Sequence, residues 1–280
     1  VKSLNKTKID WCDMTFNPVT GCLHGCEYCY ARGIANRFGL SFAPRLDEVD
    51  GAKYDSEEGL DTMLELNKPY YKDGRMQPYP MAFLPTFHKY RLDEPKLKTK
   101  SQKIFVGSMT DLFGEWVPDE WIKEVYDKCK KADHHTYLFL SKNPKRYKLI
   151  NRNELDYRCN MWFGTSATES KSFLKNSCEL FTATTYSKNV SANRFISIEP
   201  LLEEVNGVIL ELNIRFYDWV IIGAETGNRK CKVIPKREWI DSIVEQCKAA
   251  NIPVFMKESL RELMGNDFIQ AFPDNMINKQ

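Results

Sequence analysis

The chain has 280 residues, 42% of them hydrophobic, and 40 basic against 38 acidic side chains give a net charge of +2. That length buries a substantial core without disulfides, and the balanced charge neither requires nor excludes a nucleic-acid partner. No apolar run approaches the roughly 20 residues that cross a bilayer, and the polar start over 1–10 lacks the apolar stretch of a signal peptide, so the expected compartment is the cytoplasm, with no membrane partner.

Short apolar runs alternate with helical segments. Phe16–Thr20 reads as a first strand ending at a cysteine loop, and Glu27–Phe38 as a helix stopped by Gly39. An insertion over about 43–102 follows, rich in proline and weakly periodic, with helix expected around Ser56–Asn67. Lys103–Ser108 is the next strand, then a helix over Pro118–Ala132, where Pro near the start loses no needed N–H. Thr136–Ser141, Met161–Ser166, Arg194–Glu199, Trp219–Gly223 and Ile252–Met256 continue the strands. Helices over Pro144–Ile150, Glu169–Thr182, Val205–Leu212 and Pro235–Ala250 separate them. Runs such as Tyr-Leu-Phe-Leu and Val-Ile-Ile suit strands buried on both faces, and strand–helix repetition implies parallel crossovers. The expected fold is therefore a single α/β domain, a partial (β/α)6-type barrel with the insertion after its first helix.

Nine cysteines are present. Six stand alone (Cys12, Cys129, Cys159, Cys178, Cys231 and Cys247) and suit buried apolar positions. The other three lie in Gly21-Cys22-Leu23-His24-Gly25-Cys26-Glu27-Tyr28-Cys29, a Cys-x3-Cys-x2-Cys spacing. Three thiolates on one tight loop hold three corners of a cubane [4Fe-4S] cluster and leave the fourth iron open to a small molecule. The competing reading is a structural zinc site completed by Cys12, in a non-catalytic nucleic-acid-binding module. A third, a phosphate-handling barrel enzyme, leaves the cysteines unexplained. His24 is read as a loop residue, since three thiolates suffice.

The cysteine pattern, with aromatic Tyr28 just before the last cysteine, resembles the radical S-adenosylmethionine superfamily. Ile9-Asp10-Trp11 and Phe16-Asn17-Pro18-Val19-Thr20-Gly21-Cys22 are similar to a phage and bacterial three-Cys-motif family that has no assigned function. So are Arg91-Leu92-Asp93-Glu94-Pro95, Ser108-Met109-Thr110-Asp111-Leu112-Phe113 and Leu140-Ser141-Lys142-Asn143-Pro144. Phe163-Gly164-Thr165-Ser166, Ser197-Ile198-Glu199-Pro200 and Val220-Ile221-Ile222-Gly223-Ala224-Glu225-Thr226-Gly227 extend the likeness to nearly the whole chain.

The resemblance implies reductive cleavage of S-adenosylmethionine to a 5′-deoxyadenosyl radical, which abstracts hydrogen from substrate. It further implies an electron donor such as flavodoxin or ferredoxin. Cys22, Cys26 and Cys29 are the expected cluster ligands. Tyr28 joins the expected cofactor-binding set. Ser108, Thr110 and Asp111 are expected to accept from the ammonium of S-adenosylmethionine; a Ser/Thr-Asp version of this motif resembles the spore photoproduct lyase-like branch. Lys142 is expected on the carboxylate, Ser166 on ribose or carboxylate, and Glu199 or Glu225 on ribose or substrate. Gly223 is expected to lie close to adenine, where glycine permits near backbone approach. Each position also has a plain structural reading: a surface lysine at 142, helix caps at Asp111 and Ser166, an ion pair at Glu199.

The substrate class is expected to be a nucleic acid or nucleotide. Two basic segments, Lys96, Lys98, Lys100, Lys103 and Lys142, Lys145, Arg146, Lys148, are read first as solvated faces and, more sharply, as phosphate contacts for such a substrate. Trp11, Phe16, Tyr28, Tyr30, Phe113 and Trp116 are read as base-stacking rings or as core.

Overall fold

The computed structural model describes residues 4–39, 64–151, 160–187, 190–227 and 229–277. Runs of β-branched and aromatic residues form an eight-stranded main sheet. Its strands are β1 (Asn5–Lys6), β2 (Met14–Phe16), β3 (Lys103–Val106), β4 (Thr136–Ser141), β5 (Met161–Ala167), β6 (Asn193–Ile198), β7 (Trp219–Ile222) and β8 (Val254–Met256). They lie side by side in chain order. β1 is antiparallel to β2, and every other neighbouring pair is parallel. The main helices are α1 (Tyr30–Phe38), α2 (Asp119–Lys131), α3 (Ser170–Thr184), α4 (Gly207–Ile214) and α5 (Arg237–Ala249).

Strand periodicity divides the side chains between two cores. Outward positions such as Val106, Tyr137, Phe139, Phe163, Ile196, Val220 and Met256 pack with Ile122, Val125, Phe173, Leu180, Ile240 and Ile243 of the helices. Inward positions Phe105, Leu138, Trp162, Phe195, Trp219 and Phe255 form a second cluster around Trp11. The Trp11 ring lies 4.7 Å from Phe105 on β3, 6.2 Å from Phe195 on β6 and 6.4 Å from Trp219 on β7. Flat strands about 4.8 Å apart would set β3 and β7 roughly 19 Å from each other, so the sheet curls around this tryptophan. Gly164 makes room for the plug: a methyl group there would meet the Phe195 ring at 2.4 Å.

The fold is mixed α/β with a mostly parallel sheet. Among the described residues β1 and β8 do not pair, so the strand ladder does not close into a barrel. A second sheet of three short strands joins Val19–Thr20, Thr86–His88 and Leu64–Leu66. It corrects two expectations. The first strand is not one run over Phe16–Thr20: the chain leaves the main sheet at Asn17-Pro18, where proline offers no N–H for the ladder. The expected helix around Ser56–Asn67 ends in extended chain, since Leu64–Leu66 pairs in parallel with Thr86–His88; its earlier part lies outside the described residues. The start of α1 also moves, from Glu27 to Tyr30, with Cys29 as its N-cap. No helix among the described residues is long and apolar enough to cross a membrane.

Candidate active site

Above the aromatic plug the inward positions turn polar. Continuing each strand by two residues leads from Phe105 to Gly107, from Leu140 to Lys142, from Gly164 to Ser166, from Ser197 to Glu199 and from Phe255 to Lys257. All five destinations line one cavity of about 200 Å³ at the carboxyl ends of the strands. Cys22, Cys26 and Cys29 line the same cavity, with His24, Tyr28 and Tyr30 from their loop. Active sites of parallel α/β sheets form at this end.

The cysteine loop is clamped by four consecutive residues after β3. Ser108 Oγ lies 3.0 Å from Asn17 Nδ2, which donates to it. Met109 donates its N–H to Asn17 Oδ1 at 3.1 Å and accepts from Gly21 N–H at 2.9 Å. Thr110 Oγ1 donates to the Gly21 carbonyl at 2.6 Å. Asp111 accepts at both oxygens: Oδ1 from Phe113 N–H at 3.1 Å and Ser141 Oγ at 2.7 Å, Oδ2 from Lys142 N–H at 2.9 Å and His24 Nε2 at 2.7 Å. Ser108, Thr110 and Asp111 line the cavity and also brace the loop, Thr110 through its proton and Asp111 through His24. Gly21 itself sits at φ +91°, and a Cβ there would fall 2.2 Å from Leu84 O.

Lys142 Nζ donates to Tyr28 OH at 2.6 Å and lies 4.8 Å from the ring centroid. Burial pushes the Lys142 ammonium toward its neutral form, but the Tyr28 oxygen and Cys26 sulfur beside it outweigh burial and leave its pKa raised. Burial raises the Tyr28 phenol, which stays neutral. Across the cavity Lys257 is ion-paired with Glu199, as the plain reading of Glu199 expects. Gly223 is not in the lining but backs this pair, a Cβ there reaching within 3.1 Å of both side chains. Ser166 lines the cavity, and its carbonyl accepts from Asn176 Nδ2. Glu225 also lines the cavity, but Arg229 occupies both its oxygens, at 2.6 and 2.7 Å. Arg229 also reaches Glu27 on the cysteine loop at 3.2 Å. Glu225 thus anchors a strap over the loop from the cavity wall.

Of the aromatic set, Tyr28, Tyr30 and Trp11 line the cavity, whereas Phe16 and Phe113 belong to the outer core. Trp116 packs edge-on against His24, with 4.8 Å between ring centroids. Within the basic segments Lys96 is ion-paired with Asp93, Lys103 with Asp13, Lys145 with Glu115 and Arg146 with Asp119. Lys103 also opens β3, at the far end of the strand from the cavity. Residues missed from the sequence include Ser141, Ser197, Arg229 and the clamp role of His24. Ser197 alone had a local signal, its inward parity with Phe195.

The donor set fits an iron–sulfur cluster in kind. Cys22, Cys26 and Cys29 are free thiols on one loop at one cavity. Burial pushes the Cys22 thiol up to about 12, so this sulfur carries charge when a metal replaces its proton. Cys29 Sγ accepts from Arg32 N–H at 3.4 Å at the start of α1. Among the described residues no three His, Cys, Asp or Glu side chains converge tightly enough for a single ion. A cubane takes one thiolate per iron and needs no such convergence. Cys12, the expected fourth zinc ligand, lies in the Trp11 core and does not line the cavity.

A family model described as "Protein of unknown function (DUF5131)" matches residues 6–263. The chain belongs to this family. Among solved structures, a mutant of spore photoproduct lyase with dinucleoside spore photoproduct is similar to this DUF5131 member with a TM-score of 0.51, and a second structure of that mutant with 0.50. Both are 9% identical and cover 91% of this chain and 78% of their own. At that identity the likeness is one of fold. Curated protein sequences give no match.

Proposed function

We propose that this chain is a radical S-adenosylmethionine enzyme on a partial (β/α) barrel, with Cys22, Cys26 and Cys29 holding a [4Fe-4S] cluster. The observation that carries the reading is the meeting of all three cysteines with the polar inward positions of β4, β5, β6 and β8 in one cavity. When bound, cluster and S-adenosylmethionine supply reductive cleavage of the sulfonium bond and hydrogen-atom abstraction from substrate. Lys142 offers an ammonium to the carboxylate of S-adenosylmethionine, and Ser166 a hydroxyl to its ribose or carboxylate. Ser108, Thr110 and Asp111 hold the loop in register. The aromatic plug closes the lower end of the cavity and keeps water from that side. A reductant protein of the flavodoxin or ferredoxin kind fits the need for single electrons. The proposed substrate class is a nucleic acid or nucleotide, supported by the fold likeness to spore photoproduct lyase and by the lysines beside the cavity.

The test is anaerobic reconstitution with iron and sulfide, followed by dithionite and S-adenosylmethionine. 5′-Deoxyadenosine is expected from the wild type and not from Cys26→Ala. Lys142→Ala is expected to keep its iron while binding S-adenosylmethionine about tenfold more weakly, the scale of one charge-assisted contact. A colourless protein that retains stoichiometric zinc and assembles no cluster would refute the reading.

A further inference from the structure

A second cavity, of about 370 Å³, adjoins the first and shares His24, Lys142 and Ser166 with it. Its far wall is the start of α3, where Lys171 and Lys175 stand one turn apart on the same face. Three lysines therefore line this space against a single carboxylate, Glu169. That carboxylate faces the helix, accepting the Ser172 N–H in a capping box. Of the nearby acids, Glu179 forms a long i,i+4 ion pair with Lys175 at 3.9 Å, weak at so exposed a lysine, and Glu115 is bonded to Lys145. The helix end adds little, because Ser170 N–H is taken by Glu203 Oε1 at 3.0 Å. The attraction for an anion thus comes from the exposed ammonium groups of Lys171 and Lys175, with Lys142, which donates to Tyr28, on the shared wall.

We propose that this second cavity binds the phosphate of a phosphoester substrate, with Lys171 and Lys175 as its principal contacts, so that the attached nucleoside enters the first cavity. The inference rests on the first cavity being the reaction site. A phosphate presents three strong acceptor oxygens, and lysine serves it as a mobile point charge. Lys142, at the junction, belongs to both cavities and sets the boundary between cofactor and phosphate.

Binding to the full chain tests it, with thymidine, thymidine 5′-monophosphate and a fluorescein-labelled oligothymidylate as probes. The monophosphate is expected to bind at least about tenfold tighter than thymidine, as a charge-assisted phosphate contact requires. A Lys171→Gln/Lys175→Gln variant is expected to lose that preference while its melting temperature stays unchanged. If the monophosphate shows the preference, the substrate is a nucleotide; if the oligonucleotide alone shows it, the substrate is a strand. Either result supports the site. Equal binding of thymidine and its monophosphate without a gain for the oligonucleotide, no binding of any probe, or an unchanged preference in the variant overturns it. 5′-Deoxyadenosine formation is measured separately. Its failure with the phosphate preference intact removes the reaction and keeps the site; the reverse removes the site alone.

Discussion

Asp111→Asn preserves shape and removes a charge at the most heavily bonded carboxylate of the site. Asp111 is 5% exposed and accepts from Phe113 N–H, Ser141 Oγ, Lys142 N–H and His24 Nε2. Asparagine keeps one acceptor oxygen and turns the other into a donor that faces two donors. A bond to a charged acceptor contributes about 1.5–3 kcal/mol, and a stranded buried donor costs roughly 1–3 kcal/mol. Ser141 can rotate to accept and recovers part of the loss. The net destabilisation works out at roughly 3–5 kcal/mol, or about 6–20 °C in melting temperature for a chain of this size. Urea unfolding followed by circular dichroism, with a thermal melt alongside, measures it. A loss below about 1 kcal/mol would refute the reasoning, because the four contacts would then not be holding Asp111 and, through His24, the loop.

Gly21→Ala combines a positive φ with a methyl group 2.2 Å from a backbone oxygen. It is expected to cost roughly 2–4 kcal/mol and to lower iron uptake on reconstitution, and a wild-type unfolding curve with full iron would contradict this. Arg229→Met tests the strap. The hydrogen bonds from the Arg229 guanidinium hold the Glu225 carboxyl below the usual glutamate range. A lowered folded-state value contributes stability that is complete above the unfolded value of about 4.3 and is lost as pH falls through the folded one. The variant's deficit in urea unfolding should therefore be largest at neutral pH and shrink below about pH 4. A deficit independent of pH would show that the strap holds by packing.

Much of the strand framework was legible because it is written in local chemistry. Thr136–Ser141 holds its apolar run between two polar ends, as expected, and Met161 opens β5 at the expected residue. The placing of Lys142, Ser166 and Glu199 at one cavity followed from their positions at strand ends. What escaped was long-range. Leu64–Leu66 carries a sequence that suits helix or strand, and its pairing with Thr86–His88 decides between them. Thr110 and Asp111 invite a ligand role in isolation; their partners, Gly21 and His24, lie 89 and 87 positions away. Arg229 follows Glu225 closely, but nothing local says that it also meets Glu27, 202 positions earlier.

The clamp around the cysteine loop has a consequence for how the protein is made. Of the residues that brace the cysteine loop, Asp111 follows His24 by 87 positions, Lys142 follows Tyr28 by 114 and Arg229 follows Glu27 by 202. The early thiols are then unsupported, since closing such long spans waits for the later segments to fold against them. Ordering of the loop thus runs opposite to translation: its residues emerge first and are set in place last.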